Sequence, residues 1–555
     1  MTRGTGIIML GLCAVVCIQQ YIWLKLDHSP PWGDAMHPIF RGLYLLDLIK
    51  SGKIGGLIKA CYVLDLKWIY PPTVAIAYCA YYLLFGINEM ALMVNALYLC
   101  LGVWGVLGIG KELFGERTGV LAAVVFASLP GVLFAEKLGF REFHAMCILA
   151  VVGHCLLKTR YFSDRYYSFL TGFIFAFAMM TRIESIIYLL PPSLFLAYKG
   201  LRKGRSPTMI SNIMIMVMTT IVIMMPWLVL NHKVLIHYYF YKRIDPTDIY
   251  RIWVSLENMM YYSKHLYKIL LGPVFLFVFL ASVVVSCMVY FTEKERSKSL
   301  IMICLFLCFF VPWVFFHAVS IKDFSHIFPL FIIIALLIVG VNQCIGQKSI
   351  RGLYVAFILF FCMRSIAFPI TRAYELNELE LPPYFKPALL FLPWDKYADA
   401  SRQGKPEATF QGVVTRAAWD DVLKTMINSI NDDHAQETRM MPNDALPSVL
   451  LLQNYFPLRH IQLNYYNALS GASLKIANIL EGEGEPDVEI QQQKYDYIVI
   501  ERPYLFISDH PESRYINEFN AYILKNENVF NDHYEKISEI DLPRGTQAFI
   551  YSLRR

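Results

Sequence analysis

The chain has 555 residues, of which 56% are hydrophobic and only 17% charged, with a mean hydropathy of +0.44. So much apolar surface exceeds what a water-soluble core hides, which excludes a soluble globular protein and defines an integral membrane protein. The formal net charge of +6 is accounted for by basic loops and not by a basic face, so nucleic acid is excluded as a partner.

A helix needs about 20 apolar residues to cross a bilayer, and runs near that length recur up to residue 371. The predicted spans are 6–25, 89–109, 118–134, 144–157, 166–181, 184–198, 209–230, 266–291, 299–318, 325–345 and 352–371, eleven in all. With the N-terminus in the cytoplasm, the inner loops "KELFGER", "KTRYFSDR", "KGLRKGR", "TEKERSKS" and "GQKSIR" all carry Lys or Arg. In the opposite turns "AEKLGFREF", "TRIES" and "SIKDFSH" each base has an acid close by. The outer loops are then 26–88, 135–143, 231–265 and 319–324, and the segment 372–555 lies outside the cytoplasm.

The first outer loop is far longer than a connection requires. Its stretch "HPIFRGLYLLDLIKSGKIGGLIKACYVLDLKW" spaces apolar residues at three and four and reads as helices in the membrane interface. The following "YPPTVAIAYCAYYLLFG" is read as non-spanning, because counting it would invert the charge bias of every later loop. The loop 231–265, with its Tyr, Lys and Arg, suits a lid over a lipid-phosphate site or a plain interfacial helix.

All twelve cysteines precede residue 363, so the C-terminal segment is not a disulfide-stapled module. No CxxC or HExxH occurs, and His232, His237 and His265 match no ligand spacing. Beyond residue 372 the chain turns polar, and "SVLLL", "YDYIVIE" and "AFIYSL" predict strands of a small α/β domain. No glycine-rich phosphate loop precedes a helix there, which argues against nucleotide binding.

The outer loops carry the chemistry. "SPPWGDAMHPIF" places Asp34 and His37 beside the membrane, where desolvation raises a carboxylate's pKa toward the range useful to a base. Plain structural roles stand beside the functional ones. Asp34 would cap the next helix, His37 would be a turn residue, and Glu142 would pair with Arg141, Lys137 or His144 in a solvated turn. Arg182 and Glu184, at membrane depth, would be a mutual pair.

Three stretches in order, "GDAMHPIFRGLYLLDLIKSGK", "YPPTVAIAYCAYYLLFGINEMALMVNAL" and "GKELFGERTGVLAAVVFASLPGVLFAEKLGFREFHAMCIL", give the chain its family likeness. It resembles the dolichyl-phosphate-mannose protein mannosyltransferase and aminoarabinose transferase group of the C superfamily of glycosyltransferases. The likeness covers residues 1 to 345 and is strongest over 30 to 145. It implies a polytopic α-helical membrane domain, 1–371, followed by an extracytoplasmic α/β domain. The implied activity is inverting transfer of a sugar from a polyprenyl-phosphate donor, dolichyl or undecaprenyl, at the outer membrane face. The acceptor would be a hydroxyl or phosphate on a protein, glycolipid or polysaccharide, and the bacterial inner membrane is the expected location.

The family's two acids fall on Asp34 and Glu142. The chain departs from the family in having Glu142 where Asp is usual, Ala35 after the first acid and Tyr70 in place of a Lys before the paired prolines. The expected ligands of the donor phosphate are Arg41, Arg141, Arg182, Lys322 and His326, and a divalent metal between the acids is left open. A transporter or flippase of lipid-linked sugars is the alternative. It would call for paired repeats with broken helices, and the sequence has no such symmetry.

Overall fold

The computed structural model describes residues 2–26, 36–62, 73–202, 206–236, 256–266, 270–292, 296–318, 324–343, 345, 347–376, 425–435, 448–451, 474–477, 495–502, 522–523, 525–541 and 547–554. Asp34, Tyr70 and Lys322, and residues 237–255 of the expected lid, lie outside them.

The described part of the membrane segment is helical. Helices α1 (Arg3–Leu26), α2 (Met36–Lys50), α3 (Ile54–Tyr62) and α4 (Thr73–Phe85) are followed by α5 (Met93–Phe114), α6 (Glu116–Ser128), α7 (Pro130–Leu138) and α8 (Arg141–Lys158). Then come α9 (Arg165–Thr181), α10 (Ser185–Arg202), α11 (Ser206–Ile236), α12 (Leu256–His265), α13 (Gly272–Thr292), α14 (Arg296–Ala318), α15 (Leu330–Gly340) and α16 (Lys348–Leu376). Ten of the eleven apolar stretches hold one of these helices and 118–134 holds parts of two, while the separate helices α2, α3 and α4 lie between residues 26 and 88. By length and composition Arg3–Lys25, Met90–Phe114 and Pro207–Lys233 are able to cross a membrane. The bent pair α6 and α7 would make a fourth span, while α4 and parts of α13, α14 and α15 are shorter apolar helices.

The stretch 118–134, expected as one straight span, is broken. Pro130 lacks an N–H and its ring pushes Leu129 out of the helical region, to φ −61° and ψ 128°. The two halves meet at 55°. Pro130 then starts α7, where its missing donor costs nothing. The break turns α7 back into the bundle, and the next chain reversal sets the start of α8.

The main core gathers α1 and α5 to α16, with every residue of α15 but Ile333 buried at its centre. Helices α5 and α8 cross so closely that a Cβ on Gly105 would overlap the backbone of Ala150. Small residues let helices approach in this way where lipid offers no hydrophobic drive for their association.

Toward the C-terminus, strands β1 (Ser448–Leu451), β2 (Lys475–Ala477), β3 (Tyr497–Arg502), β4 (Tyr534–Asp541) and β5 (Gln547–Leu553) form one mixed sheet in the order β2-β1-β3-β5-β4. The three strand strings read from the sequence lie in β1, β3 and β5. Strand β1 runs parallel to β2 and β3, and β5 pairs antiparallel with β3 and β4. The Asp496 carboxylate accepts from Ser448 N at 2.8 Å and Ser448 Oγ at 2.7 Å, pinning β1 to the start of β3. Helix α17 (425–435) and helix α18 (Glu527–His533) accompany the sheet.

A second core cluster is shared between the two segments. Trp23 and Leu24 of α1, Ile39 and Leu45 of α2 and Tyr78 and Tyr82 of α4 belong with Met426 and Ile430 of α17 and Val449, Val499 and Ile550 of the sheet. The sheet therefore sits on the side of the bundle where α2 to α4 lie.

Candidate active site

The site is built at the junctions of α7 with α8 and of α9 with α10. Helix α7 ends at Gly139, whose left-handed φ of +68° suits glycine. Phe140 is extended and α8 begins at once, so the reversal buries its first turn: Arg141 is 6% exposed, Glu142 3% and His144 0%. Glu142 is thus a buried group, which corrects the reading of it as part of a solvated turn.

Helix α9 ends at Thr181, and Arg182 follows in extended backbone, φ −155°, before α10 starts at Ser185. Ser185 N donates to Arg182 O at 3.0 Å and Ser185 Oγ to Ala178 O at 3.1 Å, which fixes the turn. From it the Arg182 guanidinium reaches Glu142 Oε1 through Nη2 at 2.9 Å and Glu184 Oε2 through Nε at 3.4 Å. The expected Arg182–Glu184 pair exists, but Glu142 shares the cation. Two of the other proposed partners of Glu142, Lys137 and His144, make contacts elsewhere. Lys137 Nζ meets Glu136 Oε2 at 3.2 Å and Gln20 Oε1 at 2.5 Å, and His144 Nε2 lies 3.0 Å from Asn95 Oδ1.

Glu142, Arg182, Glu184, Tyr188, Phe316 and His326 line one small cavity. The Tyr188 hydroxyl donates to the carbonyl of His326. The Phe316 ring stacks on both neighbours, 5.3 Å from the His326 ring and 5.7 Å from that of Tyr188. Three of the residues expected at the site, Glu142, Arg182 and His326, are therefore brought together.

Arg41 and Arg141 form a second basic pair. Arg41, on α2, is 4% exposed and its Nη2 donates to Ala60 O at 2.5 Å, on the last turn of α3, where carbonyl oxygens face outward. Burial lowers the Arg41 pKa to about 10; the Cys61 thiol opposes this fall and the nearby Arg141 charge adds to it. At neutral pH it remains a cation, held without full solvation.

A groove of about 330 Å³ lies next to the cavity between α5, α8, α10, α14 and α15. Its walls are apolar, Leu149, Leu156, Leu189, Phe195, Leu305 and Ile332 among them, and Tyr188 and Pro329 line both spaces. Glu112, Arg160 and Lys199 stand at the far end. Among the described residues no group of three or more His, Cys, Asp or Glu is placed to hold a metal. His232 and His265 each bond a carbonyl of their own helix, Val229 O and Tyr261 O.

Sequence reasoning did not find Tyr188 or Asn95 as parts of this region. A Tyr or Asn inside an apolar helix gives no periodic signal, and only the price of an unmet polar group in lipid could have pointed to them.

This architecture, a helical bundle with a cationic and acidic site at one end and a sheet on that side, has counterparts among solved structures. Residues 70–229 match the family described as dolichyl-phosphate-mannose-protein mannosyltransferase, so the resemblance read from the sequence holds. Two crystal structures of ArnT from Cupriavidus metallidurans share the fold. The apo form aligns at TM-score 0.57 with 14% identity, and the form bound to undecaprenyl phosphate at 0.56 with 12%, each covering 99% of this chain and 98% of that one. Arabinofuranosyltransferase AftD from Mycobacteria aligns at TM-score 0.51 and 13% identity over 100% of this chain and 40% of its own. No curated protein matches the chain in sequence.

Proposed function

We propose that the protein is an inverting glycosyltransferase that takes a sugar from a polyprenyl-phosphate donor and passes it to a hydroxyl or phosphate acceptor at the outer face of a bacterial inner membrane. The observation that carries this reading is that the apolar groove and the Arg182–Glu142 cavity are neighbours with Tyr188 and Pro329 in the lining of both. A ligand with a long apolar tail and an anionic head fits such a pairing, and undecaprenyl phosphate is what one ArnT structure holds. The eleven-span topology, with 372–555 outside, belongs to the same proposal.

In the reaction the acceptor oxygen attacks the anomeric carbon from the face opposite the phosphate. The bond from that carbon to the phosphate oxygen breaks, the configuration inverts, and the acceptor proton passes to a base. Asp34 is assigned as that base. The departing polyprenyl phosphate changes from a diester to a monoester and gains one negative charge. Arginines already in place stabilise that gain without reorganisation. Arg182, Arg141 and Arg41 have this task, and Lys322 and His326 are assigned to it with them. Glu142 holds Arg182 in position and orients the acceptor, and a protein, a glycolipid and a polysaccharide all supply suitable acceptors.

The test uses purified full-length protein, radiolabelled undecaprenyl- and dolichyl-phosphate sugars and a crude membrane extract as acceptor source. Transfer that is lost in Asp34→Asn while donor binding persists supports the assignment. Folded wild-type protein that transfers from neither donor would overturn it.

A further inference from the structure

We infer that Asn95 is a positioning residue that sets the two basic and acidic halves of the site against each other. The inference rests on the transferase reading for its catalytic consequence but not for its structural one. Asn95 lies on α5, is 0% exposed, and touches three other elements with one amide. Its Oδ1 accepts from the Tyr78 hydroxyl at 2.9 Å and lies 3.0 Å from His144 Nε2, while its Nδ2 donates to Glu136 O at 2.9 Å.

Each contact leads to a group of the site. Tyr78, on α4, packs against Gly42, where an added Cβ would stand 2.8 Å from the Tyr78 Cβ; the neighbour of Gly42 is Arg41. His144 is two residues beyond Glu142 on the buried first turn of α8, and its Nδ1 lies 2.9 Å from Phe140 O. Glu136 is in the last turn of α7, just before the reversal at Gly139, and a Cβ on Gly139 would stand 2.8 Å from Asn95 Nδ2. The amide fills the space that glycine leaves open. Arg41 on one side and Arg141 with Glu142 on the other are thus referred to a common point on α5, the helix most closely packed on α8. Polar groups have no water to turn to in this interior, so the contacts hold one arrangement in preference to others.

Misplacement of a reacting group by about 1 Å costs up to about 100-fold in rate. The experiment compares wild type with Asn95→Ala and Tyr78→Phe, the second keeping the packing on Gly42. Hydrogen exchange is read first and needs no substrate. Both variants are expected to speed exchange in the segments 36–46 and 139–146 together. In the transfer assay kcat should fall about 10- to 100-fold with donor KM within about threefold, and the two losses should not multiply in the double variant. Ser448→Ala, in the sheet, serves as a control for stability loss alone and should leave kcat unchanged. The inference is overturned if exchange rises in neither segment, if kcat stays within about twofold of wild type, or if Ser448→Ala at equal loss of Tm lowers kcat as much. Absence of transfer by wild type would end the transferase reading alone, since exchange still decides the positioning.

Discussion

Arg182 and Glu142 form a buried ion pair, 2.9 Å between Nη2 and Oε1, joining the turn between α9 and α10 to the first turn of α8, forty positions apart. Both side chains are less than a tenth exposed, and Glu184 takes the other side of the guanidinium. Removing the cation leaves two carboxylates facing each other out of water. Arg182→Ala is expected to cost about 3–5 kcal/mol, visible as a lower Tm by intrinsic fluorescence. Glu142→Gln, which leaves Arg182 with Glu184, should cost clearly less yet reduce kcat about 100-fold. Equal Tm losses in the two variants would mean that the pair is not desolvated as described.

Arg41 predicts a pH response. Its pKa of about 10 lies below the ordinary 12.5, so between these values the unfolded chain binds the proton that the folded one has lost. Stability should rise with pH across that window, and the cost of burying the cation is complete below it. Donor affinity moves the other way, weakening as pH passes about 10. In Arg41→Lys, where the reference pKa is about 10.4 and the same burial acts, the loss of affinity should begin near pH 8. The measurement is donor binding against pH for both proteins; coincident curves would remove Arg41 from the phosphate site.

The groove predicts discrimination by tail length. Cys304 lines it from α14, and Cys304→Trp would fill part of it. KM for an undecaprenyl donor should then rise about tenfold, equivalent to about 1.4 kcal/mol, while a donor with a two-isoprene tail is unaffected. An equal effect on both donors would place the tail elsewhere.

The Asp496 clamp predicts a local effect. Asp496→Ala frees Ser448 N and Oγ and is expected to destabilise the sheet by about 1–3 kcal/mol. Limited proteolysis should cut the C-terminal segment sooner while donor binding by the helical bundle is unchanged. A matching loss of donor binding would show that the two segments do not behave independently.

Much of this was legible in the residues because apolar runs and β-branched strings are local signals. Each apolar run contains a helix, and "YDYIVIE" and "AFIYSL" lie in strands. The break at Leu129–Pro130 was written in the sequence too, but the hydropathy of "FASLPGVLF" runs straight through it and hides the proline's geometry. The three-residue β2 and the charged β4 gave no such string; β4 reads "YEKISEID" and takes its place by pairing with β5. The partner of Glu142 was illegible for another reason. Nearby Arg141, Lys137 and His144 are sequence neighbours, and only the packing of α9 and α10 on α8 brings Arg182 closer. The Asn95 contacts are of the same kind, each spanning 17 to 49 positions.

The core shared by α2, α4 and the C-terminal sheet also fixes an order of events during synthesis. Tyr78 and Tyr82 are made more than three hundred residues before Met426 and Val449, their companions in that cluster. At about 5–20 residues per second the interval is tens of seconds. Through that time α2 and α4 carry apolar side chains whose permanent cover does not yet exist, so the membrane surface or a chaperone has to shield them. A ribosome stalled between these segments would leave behind a nascent protein marked for degradation by its own unfinished interface.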